Sequence, residues 1–250
     1  MSANRSNRST HLVSFSGIDG AGKSTQIEAL RARLREEGLR VQVIRFWDEI
    51  ASLTRLRESA GHTLFNGDKG IGTPSAPISR KDKNVRLWPM TAVRLFIYFL
   101  DAISARRTVK DALRSDADVV IFDRYIYDEL ANLELSNPAI RFYVRLIMKL
   151  VPRPQIGYLL DAIPEKARER KPEYPLEFLR LNRESYMTLR DLIGGITVIG
   201  SMPLQEVSRA ISSQTLNELS LNTLVRENGG AALANEGRTV SAKLDGTVTH

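Results

Sequence analysis

The run Gly17-Ile18-Asp19-Gly20-Ala21-Gly22-Lys23-Ser24-Thr25 fits the pattern G-x-x-x-x-G-K-[ST] in full. Its chemistry is anion binding. Glycines let backbone N–H groups turn inward around phosphate oxygens with no Cβ in the way, and a helix opening at the lysine adds partial positive charge. Gly17, Gly20, Ala21, Gly22, Lys23, Ser24 and Thr25 are therefore expected to cradle the phosphates of a nucleoside triphosphate such as ATP. Lys23 would reach the β- and γ-phosphates while the Ser24 hydroxyl ligates Mg²⁺. Such a loop marks a triphosphate site without fixing the reaction.

Two later groups bear on the reaction. The apolar run Val119–Phe122 ends in Asp123-Arg124-Tyr125. A carboxylate at the C-terminal edge of a buried strand suits Mg²⁺ held through water, and the next arginine can face an acceptor phosphate; a helix N-cap beside a surface arginine is the alternative. The second group is Leu160-Asp161-Ala162-Ile163-Pro164-Glu165-Lys166-Ala167-Arg168-Glu169-Arg170-Lys171. Pro164 and Glu165 are helix-start signals. Arg168 and Arg170 then sit on a short helix that reads either as a lid closing over a transferring phosphoryl group or as a solvated charged face.

The elements that must position these residues follow from the hydrophobic pattern. Leu12–Phe15, Val41–Phe46, Val119–Phe122, Ile156–Leu160 and Ile196–Ile199 are short, nearly continuous apolar runs, as buried parallel strands require. The intervening segments are long enough for crossover helices, predicted at Lys23–Glu37, Thr91–Leu113, Ile126–Leu150, Leu176–Leu192 and Leu204–Leu219. The result is an α/β fold with a parallel sheet. Residues 1–11 read as a flexible polar arm, 12–219 as a single domain, 60–84 as a mobile loop, and 220–250, where Gly, Asn, Thr and Ala dominate without a period, as a disordered tail.

Composition narrows the function classes. With 42% hydrophobic and 26% charged residues in 250, the chain is not mainly disordered. The absence of cysteine excludes a disulfide framework, a thiolate zinc site, an iron–sulfur cluster and a cysteine nucleophile. No apolar run approaches the ~18 residues of a membrane span, and no h-region follows MSANRSNRST, so a cytoplasmic protein with no membrane partner is expected. The formal charge is +7, and Arg80 to Arg114 holds nine basic residues against three acidic ones. Phosphate recognition accounts for that surplus without a nucleic-acid partner.

Taken together, GxDGAGKST, the Asp-Arg-Tyr triplet about a hundred residues on, and LDxxPExAxxR followed by Glu-Phe and a Tyr resemble the thymidylate kinase family over roughly residues 11–212. The resemblance implies a three-layer P-loop fold with a five-stranded parallel sheet and an arginine-bearing lid at 162–175. It also implies ATP and Mg²⁺ as cofactors and phosphoryl transfer to dTMP. Residue by residue, Lys23, Arg124, Arg168 and Arg170 would be catalytic, and Ser24 and Asp123 would serve the metal. Asp19 would lie near the deoxyribose 3′-hydroxyl with Arg124 on the acceptor phosphate. Gly20, where some members carry arginine, implies that the catalytic arginine comes from the lid.

On the acceptor side the chain departs from the family pattern. Arg45-Phe46-Trp47-Asp48-Glu49 lacks the usual Pro-bearing turn, and Tyr98-Phe99-Leu100-Asp101 lacks the arginine that usually follows the aromatic. Tyr127-Asp128 stands where a serine is usual. Tyr98 or Phe99 would stack on the acceptor base, and Arg94, Arg106 or Arg107 would replace the missing arginine. Two alternatives stay open: a kinase for another nucleotide or deoxynucleoside, and a non-catalytic ATP-binding module. A homodimer is implied by the family, with the apolar faces of Thr91–Leu113 and of Val144, Ile147 and Leu150 as candidates; core packing is the alternative for both.

The tail makes one prediction. Deleting Asn222–His250 is expected to leave turnover and the melting temperature unchanged; a fall of several degrees in a thermal scan would show that the tail is structural.

Overall fold

The computed structural model describes residues 10–46 and 88–220. The five apolar runs all pair in one sheet, because strands this apolar on both faces must be covered on both. They are β1 (His11–Ser16), β2 (Val41–Arg45), β3 (Val119–Asp123), β4 (Ile156–Leu160) and β5 (Ile196–Ile199). Their order is β2-β3-β1-β4-β5, and every pairing is parallel. The register sets Phe15 beside both Asp123 and Tyr158, so the carboxyl ends of the three central strands come together.

From β1 the chain turns toward β2, whereas from β4 it turns toward β5. The crevice outside the carboxyl ends of β1 and β4 is thus the topological switch point, where open α/β sheets bind ligands. Helices connect and cover the strands: α1 (Lys23–Glu36), α2 (Trp88–Arg114), α3 (Ile126–Leu130), α4 (Pro138–Leu150), α5 (Pro164–Arg170) and α6 (Leu176–Ile193). Val13, Phe15, Ile121, Phe122 and Tyr158 are fully or almost fully buried in the sheet. Tyr125 anchors the start of α3 by donating its hydroxyl to the Pro152 carbonyl at 2.5 Å.

Several boundaries differ from expectation, each for a local reason. The helix predicted over Ile126–Leu150 is two helices. Pro138 starts a new one at its first turn, and the Asn137 side chain accepts the Ala139 N–H as its cap. The last two residues assigned to the arm are held in place: Thr10 is buried, donates its hydroxyl to the Ala117 carbonyl at 2.9 Å, and leads directly into β1, which starts at His11. Val144 and Ile147, weighed as dimer-face residues, are fully buried core. Arg106 is occupied at the end of α4, donating to the Leu150 carbonyl at 3.1 Å.

The chain parts into two compact units, Met1–Ser208 and Arg209–His250. The first holds the sheet, and the described residues of the second, 209–220, are helical. No described helix is long and apolar enough to cross a membrane. Residues 1–9 of the expected arm, the 60–84 loop with Arg80, Lys81 and Lys83, Arg86 beyond it, and the tail from 221 lie outside the described residues.

Candidate active site

The site begins where β1 runs out. Ser16 is the last strand residue, and the loop from Gly17 to Gly22 reverses into α1, whose first residue is Lys23. Two glycines are required for contact rather than only for the turn. A Cβ on Gly17 (φ 141°) would lie 2.6 Å from the Leu160 carbonyl oxygen at the end of β4. One on Gly20 (φ 82°) would lie 2.1 Å from the Ala167 carbonyl oxygen on α5. The loop is thereby clamped between β4 and α5. At its far end Gly22 is left-handed and offers no side-chain cap, and the first turn of α1 carries no acid, so the helix N-terminus is open to an anion.

Lys23 is buried, with Nζ donating to the Gly17 carbonyl at 2.7 Å and the Ile18 carbonyl at 2.9 Å. Burial, helped by the charge of Arg124, pulls its pKa down to about 8 against the opposing pull of Asp128, Asp19 and Asp123. That list of partners also defines the site, since it gathers both carboxylates and the arginine singled out from the sequence around one ammonium group. Ser24 and Thr25 are exposed on the first turn of α1, and Asp123 is partly exposed at the end of β3.

Arg124 is the centre of the acidic side. It is the single non-glycine residue with positive φ (69°) among the described residues, and its N–H donates to the Phe15 carbonyl at 3.0 Å. Its Nη2 donates to Asp19 and its Nη1 to Asp128, the latter at 3.3 Å. Burial would lower the arginine's pKa, but the charges of Asp128 and Asp19 outweigh it and keep the guanidinium protonated. Burial would likewise raise Asp19, yet Arg124, Lys23 and Lys171 hold it ionised at about 2.

The segment expected to act as a lid lies close by. Ala167 is fully buried, and Arg170, although exposed, donates from Nη1 to the Gly20 carbonyl at 3.3 Å. The segment is tied down from behind by α6: Arg183 grips Asp161 through two hydrogen bonds of 2.5 and 2.7 Å, and Arg180 donates to Glu165 at 2.6 Å. Arg168 is partly exposed on the same helix. Beyond Arg170 opens a cleft of about 310 Å³ between Ala21, Gly22 and Thr25 on one side and Gly200, Ser201 and Met202 on the other. Its wall is braced by Gln26, buried on α1, which donates to the Leu204 carbonyl at 3.4 Å and accepts the Ser208 hydroxyl at 2.8 Å.

Not every sequence candidate joins this cluster. Tyr98 is 6% exposed and belongs to the hydrophobic core, so its ring is packed inside; Phe99, the next residue of α2, is 38% exposed. Asp128, Tyr186 and Ser16 were not singled out for a role, yet they form the buried floor beneath Arg124. Ser16 donates its hydroxyl to Asp128 Oδ2 at 2.7 Å and Tyr186 donates to Oδ1 at 2.7 Å. A signal for Asp128 was present in its spacing, four residues after Arg124 and at the third position of a short helix. Tyr186 enters the sequence pattern only as the Tyr that follows Glu-Phe, with no role attached, and Ser16 carries no signal.

A family model, Methylmalonyl Co-A mutase-associated GTPase MeaB, matches residues 2–48. That stretch covers the phosphate loop with its flanking strands and helix. Relatives extend much further. The probable thymidylate kinase of Archaeoglobus fulgidus is 30% identical over 207 residues, covering 80% of this chain and 92% of that protein. The thymidylate kinase of Bifidobacterium longum strain DJO10A is 30% identical over 188 residues, with 71% and 82% covered, and that of Chlorobium luteolum is 27% identical over 233 residues, with 83% and 97% covered.

Two predictions rest on this geometry. Because Lys23 loses its charge as pH rises through about 8, affinity for inorganic tripolyphosphate, measured by calorimetry without added metal, is expected to weaken by up to about tenfold per pH unit above that point. A flat profile from pH 7 to 9.5 would contradict it. Gly20→Ala is expected to cost about 1–3 kcal/mol in urea denaturation, since both its positive φ and the Ala167 carbonyl resist a methyl group.

Proposed function

The chain belongs to the thymidylate kinase family, and from that premise we propose that it transfers the γ-phosphoryl group of ATP to dTMP, giving dTDP. It is an ATP-dependent phosphotransferase. The observation that carries the proposal is the gathering of Lys23, Asp19, Asp123 and Arg124 around one glycine loop at the switch point, with Arg170 laid against Gly20.

The reaction divides along the loop. On the α5 side, the donor nucleoside occupies the cleft beyond Arg170, its phosphates reaching back to the open N-terminus of α1. Lys23 leaves the Gly17 and Ile18 carbonyls and moves its ammonium group onto the β- and γ-phosphates. The MeaB match ends at residue 48, so it concerns the phosphate loop and not residues 199–207 lining the cleft. On the β3 side, Arg124 receives the acceptor phosphate, and Asp19, ionised beside it, accepts a sugar hydroxyl. Arg170, with Arg168 behind it on α5, neutralises charge that develops on the transferring group and excludes water. No covalent intermediate forms; the acceptor phosphate attacks in line.

Mg²⁺ fits the residues present. A hydroxyl on Ser24 and a carboxylate on Asp123 are the hard oxygen donors it takes, alongside phosphate oxygens and water. When bound it would offset the charge of the β- and γ-phosphates. Dimerisation, also implied by the family, has a candidate face in Phe96 on α2 and Phe142 and Leu146 on α4, all exposed.

An acceptor other than dTMP is a second reading, favoured by α2. Tyr98 is packed into the core, Asp101 is fully buried, and the stretch between them carries no arginine to grip the acceptor. A panel of nucleoside monophosphates and deoxynucleosides, assayed with ATP and Mg²⁺, tests both. Turnover of dTMP above the rest is expected, with Lys23→Ala reducing it at least about a hundredfold. Phosphorylation of a different acceptor would establish the second reading, and tight ATP binding without transfer would reduce the protein to a binding module.

A further inference from the structure

Asp128 is a carboxylate used on every side. Its Oδ2 accepts the Ser16 hydroxyl at 2.7 Å and the Tyr125 backbone N–H at 3.1 Å, while Oδ1 accepts the Tyr186 hydroxyl at 2.7 Å and Arg124 Nη1 at 3.3 Å. All four lone-pair positions are thereby filled, and the side chain is only 1% exposed. The four donors come from three places: the end of β1 just before the glycine loop, the turn between β3 and α3, and the middle of α6.

Two of those bonds act on the same neighbour. By taking the Tyr125 N–H, Asp128 closes the turn in which Arg124 holds its left-handed φ of 69°, a conformation that costs an ordinary residue about 1 kcal/mol or more. By taking Nη1, it fixes the far end of the same side chain. The opposite nitrogen, Nη2, goes to Asp19, which is more exposed than Asp128. The guanidinium therefore has a buried hold and an accessible one. An anion arriving at the site competes with Asp19 for Nη2 while Asp128 keeps its grip.

We infer that Asp128 is a positioning residue for acceptor phosphate, fixing both the backbone and the guanidinium of Arg124 and tying them through Ser16 to the donor loop. This rests on the proposed acceptor role of Arg124. Charge and shape are both needed. In Asp128→Asn one carboxylate oxygen becomes an NH₂ donor, so whichever way the amide is turned, two of the four donors lose their acceptor. The arrangement is most economically broken at Arg124, the longest of the four contacts.

The test uses the full chain. Asp128→Asn, Arg124→Ala and the double variant are compared for kcat and KM toward the best acceptor of the panel, for ATP affinity by calorimetry, and for melting temperature. Asp128→Asn is expected to lower kcat/KM for the acceptor by about ten- to a hundredfold while ATP affinity, measured at about pH 6 so that Lys23 stays charged without the pull of Asp128, stays within about twofold. In the Arg124→Ala background the same change should cost almost nothing, because the group it positions is gone. Acceptor kinetics equal to wild type, a parallel loss of ATP affinity, or losses that multiply in the double variant would each overturn the inference. Should Asp128→Asn fail to fold, Tyr186→Phe keeps the carboxylate and removes one of its holders; a several-fold rise in acceptor KM with unchanged ATP affinity is expected, and a wild-type KM would overturn it. A wild-type chain that phosphorylates no acceptor at all defeats the function proposed above, an outcome distinct from a variant that behaves as wild type.

Discussion

Two missing Cβ atoms set the spacing on which the rest of the site depends. Gly17 lets the end of β1 come against the last carbonyl of β4, and Gly20 lets α5 come against the loop. With those approaches made, the loop has little room to relax, and its carbonyls are turned toward Lys23 while the open end of α1 faces outward. The sheet order matters for the same reason. Only a strand flanked by both β3 and β4 can place an acid from one neighbour and a lid from the other around a single turn.

Charge balance is the second organising condition. Lys23 is a buried cation and Arg124 a partly buried one, and an uncompensated buried cation is expensive. Asp19, Asp123 and Asp128 supply the compensation, but unequally: Asp128 is enclosed, while Asp19 and Asp123 remain reachable from solvent. Such a cluster is stable without ligand and can exchange partners when phosphates arrive, because the exposed acids can give up a cation that the buried acid retains. The depressed pKa of Lys23 is the trace of that arrangement, with burial outweighing the acids around it.

The parts of this design that depend on local pattern were legible in the sequence. The glycine loop, the acid after β3, the arginines after Pro164 and the five apolar runs each follow from residue type at fixed spacing. What depends on distant contact was not. Tyr98 and Phe99 are adjacent aromatics on one helix, and only the packing of α2 decides that the first is core and the second is exposed. The same holds for Ser16, an ordinary strand residue until α3 brings Asp128 beneath it, and for Tyr186, which lies 58 residues from its partner. The break between α3 and α4 was available in Asn137-Pro138, but the apolar periodicity on either side masked it.

The contact between Gly20 and Ala167 also bears on how such a protein can change over generations. A large side chain at position 20 and a lid helix packed at this depth occupy the same space. Acquiring a cation in the loop would therefore require this helix to withdraw first, and under the role proposed for Arg170 losing that arginine would leave the loop without a substitute. On that proposal the two sources of positive charge are separated by a valley that a lineage crosses only through paired changes.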